Sequence, residues 1–185
     1  MVDCIVLAGG LSTRAKTNKM LFMVENKPLI SFTVNNMIHH VDHVIVVTGK
    51  YDQEIREVLK GTPVDIIYNK DYEKGMFTSV KTGVKLTKGD FFILPGDCPF
   101  ISINTFNLLK NGRKSVRVPT FLGKDGHPLF ISHELKEELL MESDDSNLKL
   151  FRDKHDVERI AVDDPNILND IDTVEDYQRL IKERK

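Results

Sequence analysis

Cys4-Ile5-Val6-Leu7-Ala8-Gly9-Gly10-Leu11-Ser12-Thr13-Arg14 opens the chain with a short apolar run that stops at two consecutive glycines. A short apolar run bounded by a turn signal reads as a buried strand. The same rhythm recurs: after Cys4 to Leu7 come Val44 to Val47, Val64 to Ile67 and Phe91 to Leu94, each short, apolar and read as a buried strand. Between them, Ile30, Val34, Met37, Ile38 and Val41 recur at helical spacing after Pro28, which can sit at a helix start. Ile55, Val58 and Leu59 give a second stripe with Gly61 as its stop, and a third helix is predicted from near Thr78 or Ser79 to Leu86. Buried strands alternating with helices predict a mainly parallel sheet covered by helices.

Beyond residue 115 the rhythm changes. Val116 to Phe121 and Leu129 to Ile131 flank Gly123-Lys124-Asp125-Gly126, a hairpin signal that predicts an antiparallel excursion. His133 to Met141 and Leu148 to Arg152 read as helical, Val157 to Val162 as a last strand, and Thr173 to Lys182 as a last helix capped by Thr173. With no repeat, low-complexity segment or Gly/Ser linker, residues 1–185 are expected to form one domain.

A chain of 185 residues can bury a substantial core without staples. Its 26 Lys and Arg oppose 28 Asp and Glu, which argues against a nucleic-acid binder that works by bulk charge. Charge must therefore act locally. No apolar run exceeds five residues, where a membrane span needs about 20, so no membrane partner is expected. Met1-Val2-Asp3-Cys4 begins no secretory signal, and two distant cysteines, Cys4 and Cys98, suit a reduced compartment. The expected location is the cytoplasm.

Three places carry candidate chemistry. The glycines at 9 and 10 allow a sharp turn that presents N–H groups to an anion, with Arg14 and Lys19 close by; a plain tight turn is the alternative. Neither G-x-x-x-x-G-K-[ST] nor G-x-G-x-x-G is present. Leu94-Pro95-Gly96-Asp97-Cys98-Pro99 again follows a buried strand. Ligands of open parallel sheets bind outside the carboxyl ends of strands, so Asp97 should face the glycine turn, where its hard oxygens suit Mg²⁺. Cys98 reads as a small buried apolar residue. Between Arg159 and Arg179 stand six carboxylates and no cation, among them Asp170 and Asp172, which either supply a second metal ligand or form an ordinary helix N-terminus. His39, His40 and His43 read as a polar helix end and not as a zinc site.

Taken in order, Leu7-Ala8-Gly9-Gly10-x-Ser12-x-Arg14 with Lys19, Gly75-Met76-x-x-Ser79, Leu94-x-Gly96-Asp97-x-Pro99, Gly126-His127-Pro128-x-Phe130 and Asp170-Ile171-Asp172-Thr173-x-Glu175-Asp176 resemble the MobA/MocA-like nucleotidyltransferases over nearly the whole chain. The resemblance implies a three-layer α/β/α sandwich with a Rossmann-like, mainly parallel sheet of the nucleotide-diphospho-sugar transferase type. It also implies transfer of a nucleoside monophosphate from an NTP to a phosphorylated acceptor such as molybdopterin, with release of pyrophosphate. On that resemblance Leu7, Ala8, Gly9, Gly10, Ser12, Lys19 and Ser79 contact the nucleotide, with helix capping as the alternative role for Ser79. Lys19 and Arg14 offset charge on the phosphates, and Asp97 with Asp172 or Asp170 holds Mg²⁺. His127 lies on the acceptor side, as an acceptor contact or as hairpin geometry.

Ala8-Gly9-Gly10 looks like the guanylyltransferase members, whereas Gly75-Met76-Phe77-Thr78-Ser79, Leu94-Pro95-Gly96-Asp97 and Gly126-His127-Pro128 look like the cytidylyltransferase members. CTP is favoured, with GTP second. Where the family pattern continues Arg-Met-Gly before its lysine, this chain reads Arg14-Ala15-Lys16-Thr17-Asn18-Lys19, placing a charged side chain where glycine is usual. A sugar-phosphate or polyol-phosphate acceptor, and a nucleotide-binding module without turnover, are the rival readings.

Overall fold

The computed structural model describes residues 1–10, 19–169 and 176. Strand β1 (Val2–Ala8) is followed by a small antiparallel ribbon, β2 (Met23–Val24) and β3 (Lys27–Pro28), and by helix α1 (Leu29–Ile38). Then come β4 (His43–Thr48), α2 (Asp52–Val58), β5 (Asp65–Tyr68), α3 (Met76–Val84) and β6 (Asp90–Pro95). The later part holds α4 (Ile103–Lys110), β7 (Val116–Phe121), β8 (Lys124–Asp125), β9 (Leu129–Ile131), α5 (Lys136–Met141), α6 (Leu148–Asp153) and β10 (Val157–Ala161). The main sheet runs β10-β7-β9-β6-β1-β4-β5, with β8 paired to β7.

Period-two alternation of apolar side chains explains why this sheet is covered on both faces. In β1, Cys4, Val6 and Ala8 pack with Ile30 and Val34 of α1, Ile55 of α2 and Phe106 of α4. Ile5 and Leu7 point the other way, onto Val80 and Val84 of α3, Leu139 of α5 and Phe151 of α6. The result is the expected three-layer α/β/α arrangement. β1 pairs in parallel with β4 on one side and β6 on the other, while β9 runs antiparallel between β6 and β7 as the expected excursion. Because the chain leaves β1 toward β4 and returns to β6 on the opposite side, the topological switch point lies at the carboxyl ends of β1 and β6.

Several elements differ from their sequence reading. Val64 to Ile67 was expected to be a buried strand, but β5 is the last strand of the sheet, with one neighbour and no fully buried residue. Helix α3 starts at Met76, after Gly75 with φ +123°, so Ser79 lies one turn inside the helix and not at its cap. The hairpin turns at Leu122 and Gly123, both with positive φ, and Lys124–Asp125 is already the return strand. Helix α4 carried no recognised periodicity, although Ser102 caps it by accepting from the Asn104 amide at 3.2 Å. Its far end is closed by Arg117, which donates to the Leu109 carbonyl at 2.9 Å and lies 4.2 Å from the centre of the Phe130 ring. Burial pulls the pKa of this guanidinium down, as expected for a charge taken out of water. The helix expected over Thr173 to Lys182 lies outside the described residues, and among those described no helix is long and apolar enough to cross a membrane.

Phe92 is the hub of the core on the α1 side, its ring 5.3 Å from Phe106 and 5.2 Å from Phe130 in edge-on contacts. Phe92→Ala should cost about 3 to 5 kcal/mol, as truncation of a fully buried aromatic does. Urea unfolding measures this directly; a loss below about 1 kcal/mol would show that the cluster is not close-packed.

Candidate active site

Two turns meet at the switch point because β1 and β6 end side by side. Leu7 is in register with Pro95, and one residue further the Gly96 amide donates to the Leu7 carbonyl at 2.9 Å. A Cβ at Gly96 would sit 3.0 Å from Ile30 Cδ1 and Met20 Sδ, so any larger residue here would make those side-chain ends shift. The Gly96 carbonyl accepts from Thr33 Oγ1 at 2.8 Å, which ties the turn to α1. Asp97 therefore emerges from a rigid base.

Gly9 makes the second close approach. A Cβ there would lie 2.8 Å from Ser79 Oγ, and one at Gly49 would lie 2.6 Å from the Gly9 carbonyl and 2.9 Å from Tyr72 Cβ. The ends of β1 and β4 and the first turn of α3 are thus packed backbone against side chain. Asn69, buried just beyond β5, holds this corner: its Nδ2 donates to Thr78 Oγ1 and Ser79 Oγ, each at 2.9 Å, and its Oδ1 accepts from the Asp71 amide at 3.0 Å.

Leu7, Gly9, Gly10, Lys19, Ser79 and Asp97 all line one cavity of about 310 Å³. Within it Lys19 Nζ forms an ion pair with Asp97 Oδ2, both side chains being largely buried. Ala8, also expected at the nucleotide, is not part of the cavity lining; its side chain packs into the core on the α1 face. His127 lies apart, in an adjoining chamber of about 260 Å³ that shares Leu7, Met76 and Pro95 with the first. Its amide donates to the Ile167 carbonyl at 2.8 Å, and the His127-Pro128 peptide is cis. Ser12, Arg14, Asp170 and Asp172 lie outside the described residues.

Other acidic and thiol groups separate from the site. Asp164, one of the six clustered carboxylates, accepts from the Ser102 amide and Thr105 Oγ1, both at 2.8 Å, and so fastens the start of α4. Cys98 is buried beside Asp97, and Cys4 is buried in β1, where loss of solvation pushes its thiol far above the ordinary range. His43 pairs with Asp65 at 2.8 Å, and no cluster of three or more metal-ligating side chains occurs among the described residues. Asn69, Tyr72 and Glu73 were missed by sequence reasoning, yet they follow the carboxyl end of β5, and the strand-end rule used for Gly9 and Asp97 applies to them equally.

An open α/β sheet that gathers Gly9, Gly10, Lys19 and Asp97 in one cavity at its switch point has a ligand site where such sheets build them. The chain belongs to the family of MobA-like NTP transferase domains, which matches residues 4–159, and it is a nucleotidyltransferase. Over 182 residues it is 29% identical to the molybdenum cofactor cytidylyltransferase of Escherichia coli (strain K12), covering 95% of this chain and 93% of that protein. In fold it matches a nucleotidyl transferase from Methanothermobacter thermautotroptrophicus with a TM-score of 0.86, at 23% identity and covering 99% and 97% of the two chains. It also matches the manganese complex of Rv0371C from Mycobacterium tuberculosis H37Rv with a TM-score of 0.81, at 21% identity and covering 98% of each chain.

Gly9→Ala should push against the Ser79 hydroxyl and destabilise the protein by about 1 to 3 kcal/mol. In the Gly9→Ala/Ser79→Ala double variant part of that loss should return, giving a coupling of about 1 kcal/mol in thermal or urea unfolding. Strict additivity would mean that the two groups do not touch.

Proposed function

We propose that this protein transfers CMP from CTP to the phosphate of a molybdopterin-type acceptor, releasing pyrophosphate. The observation that carries the reading is the Lys19–Asp97 pair beside the Gly9-Gly10 turn, a cation and a carboxylate in one cavity at the switch point. An oxygen of the acceptor phosphate attacks the α-phosphorus; the bond to the bridging oxygen breaks, and its electron pair leaves with pyrophosphate. Such chemistry needs alignment and charge neutralisation more than a protein nucleophile.

Lys19, with Arg14, offsets the charge on the α-phosphate and the departing pyrophosphate. The amides of Gly9 and Gly10 face the phosphates, and Ser79 bounds the nucleotide side. Asp97 suits Mg²⁺, because its hard carboxylate oxygens open into a cavity shared with the nucleotide and Mg²⁺ commonly takes one or two carboxylates plus substrate phosphates. Asp97, with Asp172 or Asp170, would hold that ion, which when bound neutralises phosphate charge and aligns the reacting oxygens. Lys19 must release Asp97 as the phosphates arrive. His127 and the adjoining chamber form the acceptor side.

The likeness to the Escherichia coli cytidylyltransferase supports CTP and the molybdopterin-type acceptor, and the manganese in the Rv0371C structure supports a divalent metal. GTP is the second reading, favoured by Ala8-Gly9-Gly10.

A melting-temperature panel of CTP, GTP, ATP and UTP with Mg²⁺ tests binding. Ligand at 100 times its dissociation constant adds about 2.7 kcal/mol, which raises the melting point by roughly 5 to 11 °C for a domain of this size. CTP should give the largest rise; a flat response to all four nucleotides overturns the reading. Asp97→Ala should keep its circular dichroism spectrum and lose about 100-fold or more of pyrophosphate release with CTP and molybdopterin. Undiminished turnover would remove Asp97 from the site.

A further inference from the structure

The cavity lined by Lys19 and Asp97 is also lined by a second carboxylate. Glu73 lies in the single 3-10 turn Tyr72–Lys74 beyond β5 and lines the cavity beside Tyr72, Gly75 and Ser79. The neighbouring cations are committed to other acids: Lys74 Nζ is 2.8 Å from Asp71 Oδ1, and Lys81 Nζ is 2.7 Å from Asp144 Oδ1. Among the described residues Glu73 has no cationic partner, and its Oε1 meets the Tyr72 hydroxyl at 3.3 Å. Tyr72 is itself held in place, since its Cβ occupies the space that a Gly49 side chain would need.

A carboxylate exposed to a cavity for a nucleoside triphosphate is repelled by the phosphates. Asp97 is offset by Lys19, but Glu73 has no such cation among the described residues and is tolerated only away from the phosphates, whose end the proposed function puts at Lys19 and the Gly9-Gly10 pair. At the other end an ionised carboxylate can only accept hydrogen bonds, and with the Tyr72 hydroxyl donating to Oε1, Oε2 is left to accept from a base. Cytosine offers that oxygen an exocyclic amino donor, beside a ring-nitrogen acceptor. Uracil presents the reverse order, so that its carbonyl oxygen would face the carboxylate. Guanine, with two donors on one edge, also satisfies the acid.

We infer that Glu73 is a specificity-determining residue that selects a nucleotide with an amino-bearing base and rejects UTP. The inference rests on the nucleotidyl-transfer reading and adds to it the side chain that reads the base. Glutamine at this position can turn its amide to face either pattern, so Glu73→Gln should relax the choice without removing the contact.

The test is calorimetric titration of wild-type protein and Glu73→Gln with CTP and with UTP in the presence of Mg²⁺. Wild-type protein should bind CTP about tenfold or more tighter than UTP, and the variant should bring the two within about threefold, mainly by gaining UTP affinity. An unchanged ratio, or an equal loss for both nucleotides as expected from a ribose or metal contact, overturns the inference. So does a wild-type protein that binds UTP as well as CTP. Failure of wild-type protein to bind either nucleotide would instead overturn the proposed function, so the two failures are distinguishable.

Discussion

The hydrogen bond from the Gly96 amide to the Leu7 carbonyl is the contact on which the site depends. It extends the β1–β6 ladder one step past Pro95, which cannot donate, and so brings the turn after β6 against the turn after β1. Without it the glycine turn and Asp97 would be separate loop features. With it, they are two walls of one cavity, each built on a central strand buried on both faces. Parallel strands in the middle of an open sheet are its least deformable part, so groups that must align a phosphorus with its attacking and leaving oxygens are well placed there.

Close approach is the second constraint. Gly9 and Gly49 each stand where a Cβ would strike a neighbouring atom, and Gly96 where one would fit only tightly, at the corner where β1, β4, α1 and α3 converge. Asn69 satisfies the polar atoms of that corner from inside, which a packed interior requires. The carboxylates divide by surroundings. Asp164 is used up in backbone and hydroxyl contacts at the start of α4, whereas Asp97 opens into the cavity. Residue type alone could not have separated them.

This explains what was legible in the sequence. Strands β1, β4 and β6 are buried on both faces, so their apolar runs are continuous and were read nearly to their ends. Leu7, Gly9, Gly10, Lys19, Ser79 and Asp97 were named because they belong to patterned motifs, and they meet in one cavity. The edge strand β5 and helix α4 were harder. β5 is half-solvated, and α4 spaces its apolar Ile103, Phe106 and Leu109 among Asn104, Thr105 and Asn107. Tyr72 and Glu73 carry no motif at all. Their place depends on which strand β5 pairs with and on what Gly49 lets near it, and neither relation is local in sequence.

The Lys19–Asp97 pair gives the proposed reaction an internal logic. With the two charges neutralising each other, neither is left bare in a partly buried cavity, which would be costly. A metal ion alone would have to compete with Lys19 for Asp97, and phosphates alone would draw Lys19 away from it. On the proposed function, Lys19 would turn to the phosphates and Asp97 to the metal when the two arrive together, so that one neutral pairing would give way to two. On this reading the cavity favours the metal-bound nucleotide over either component, a preference that comes from the position of two side chains and not from the net charge of the chain.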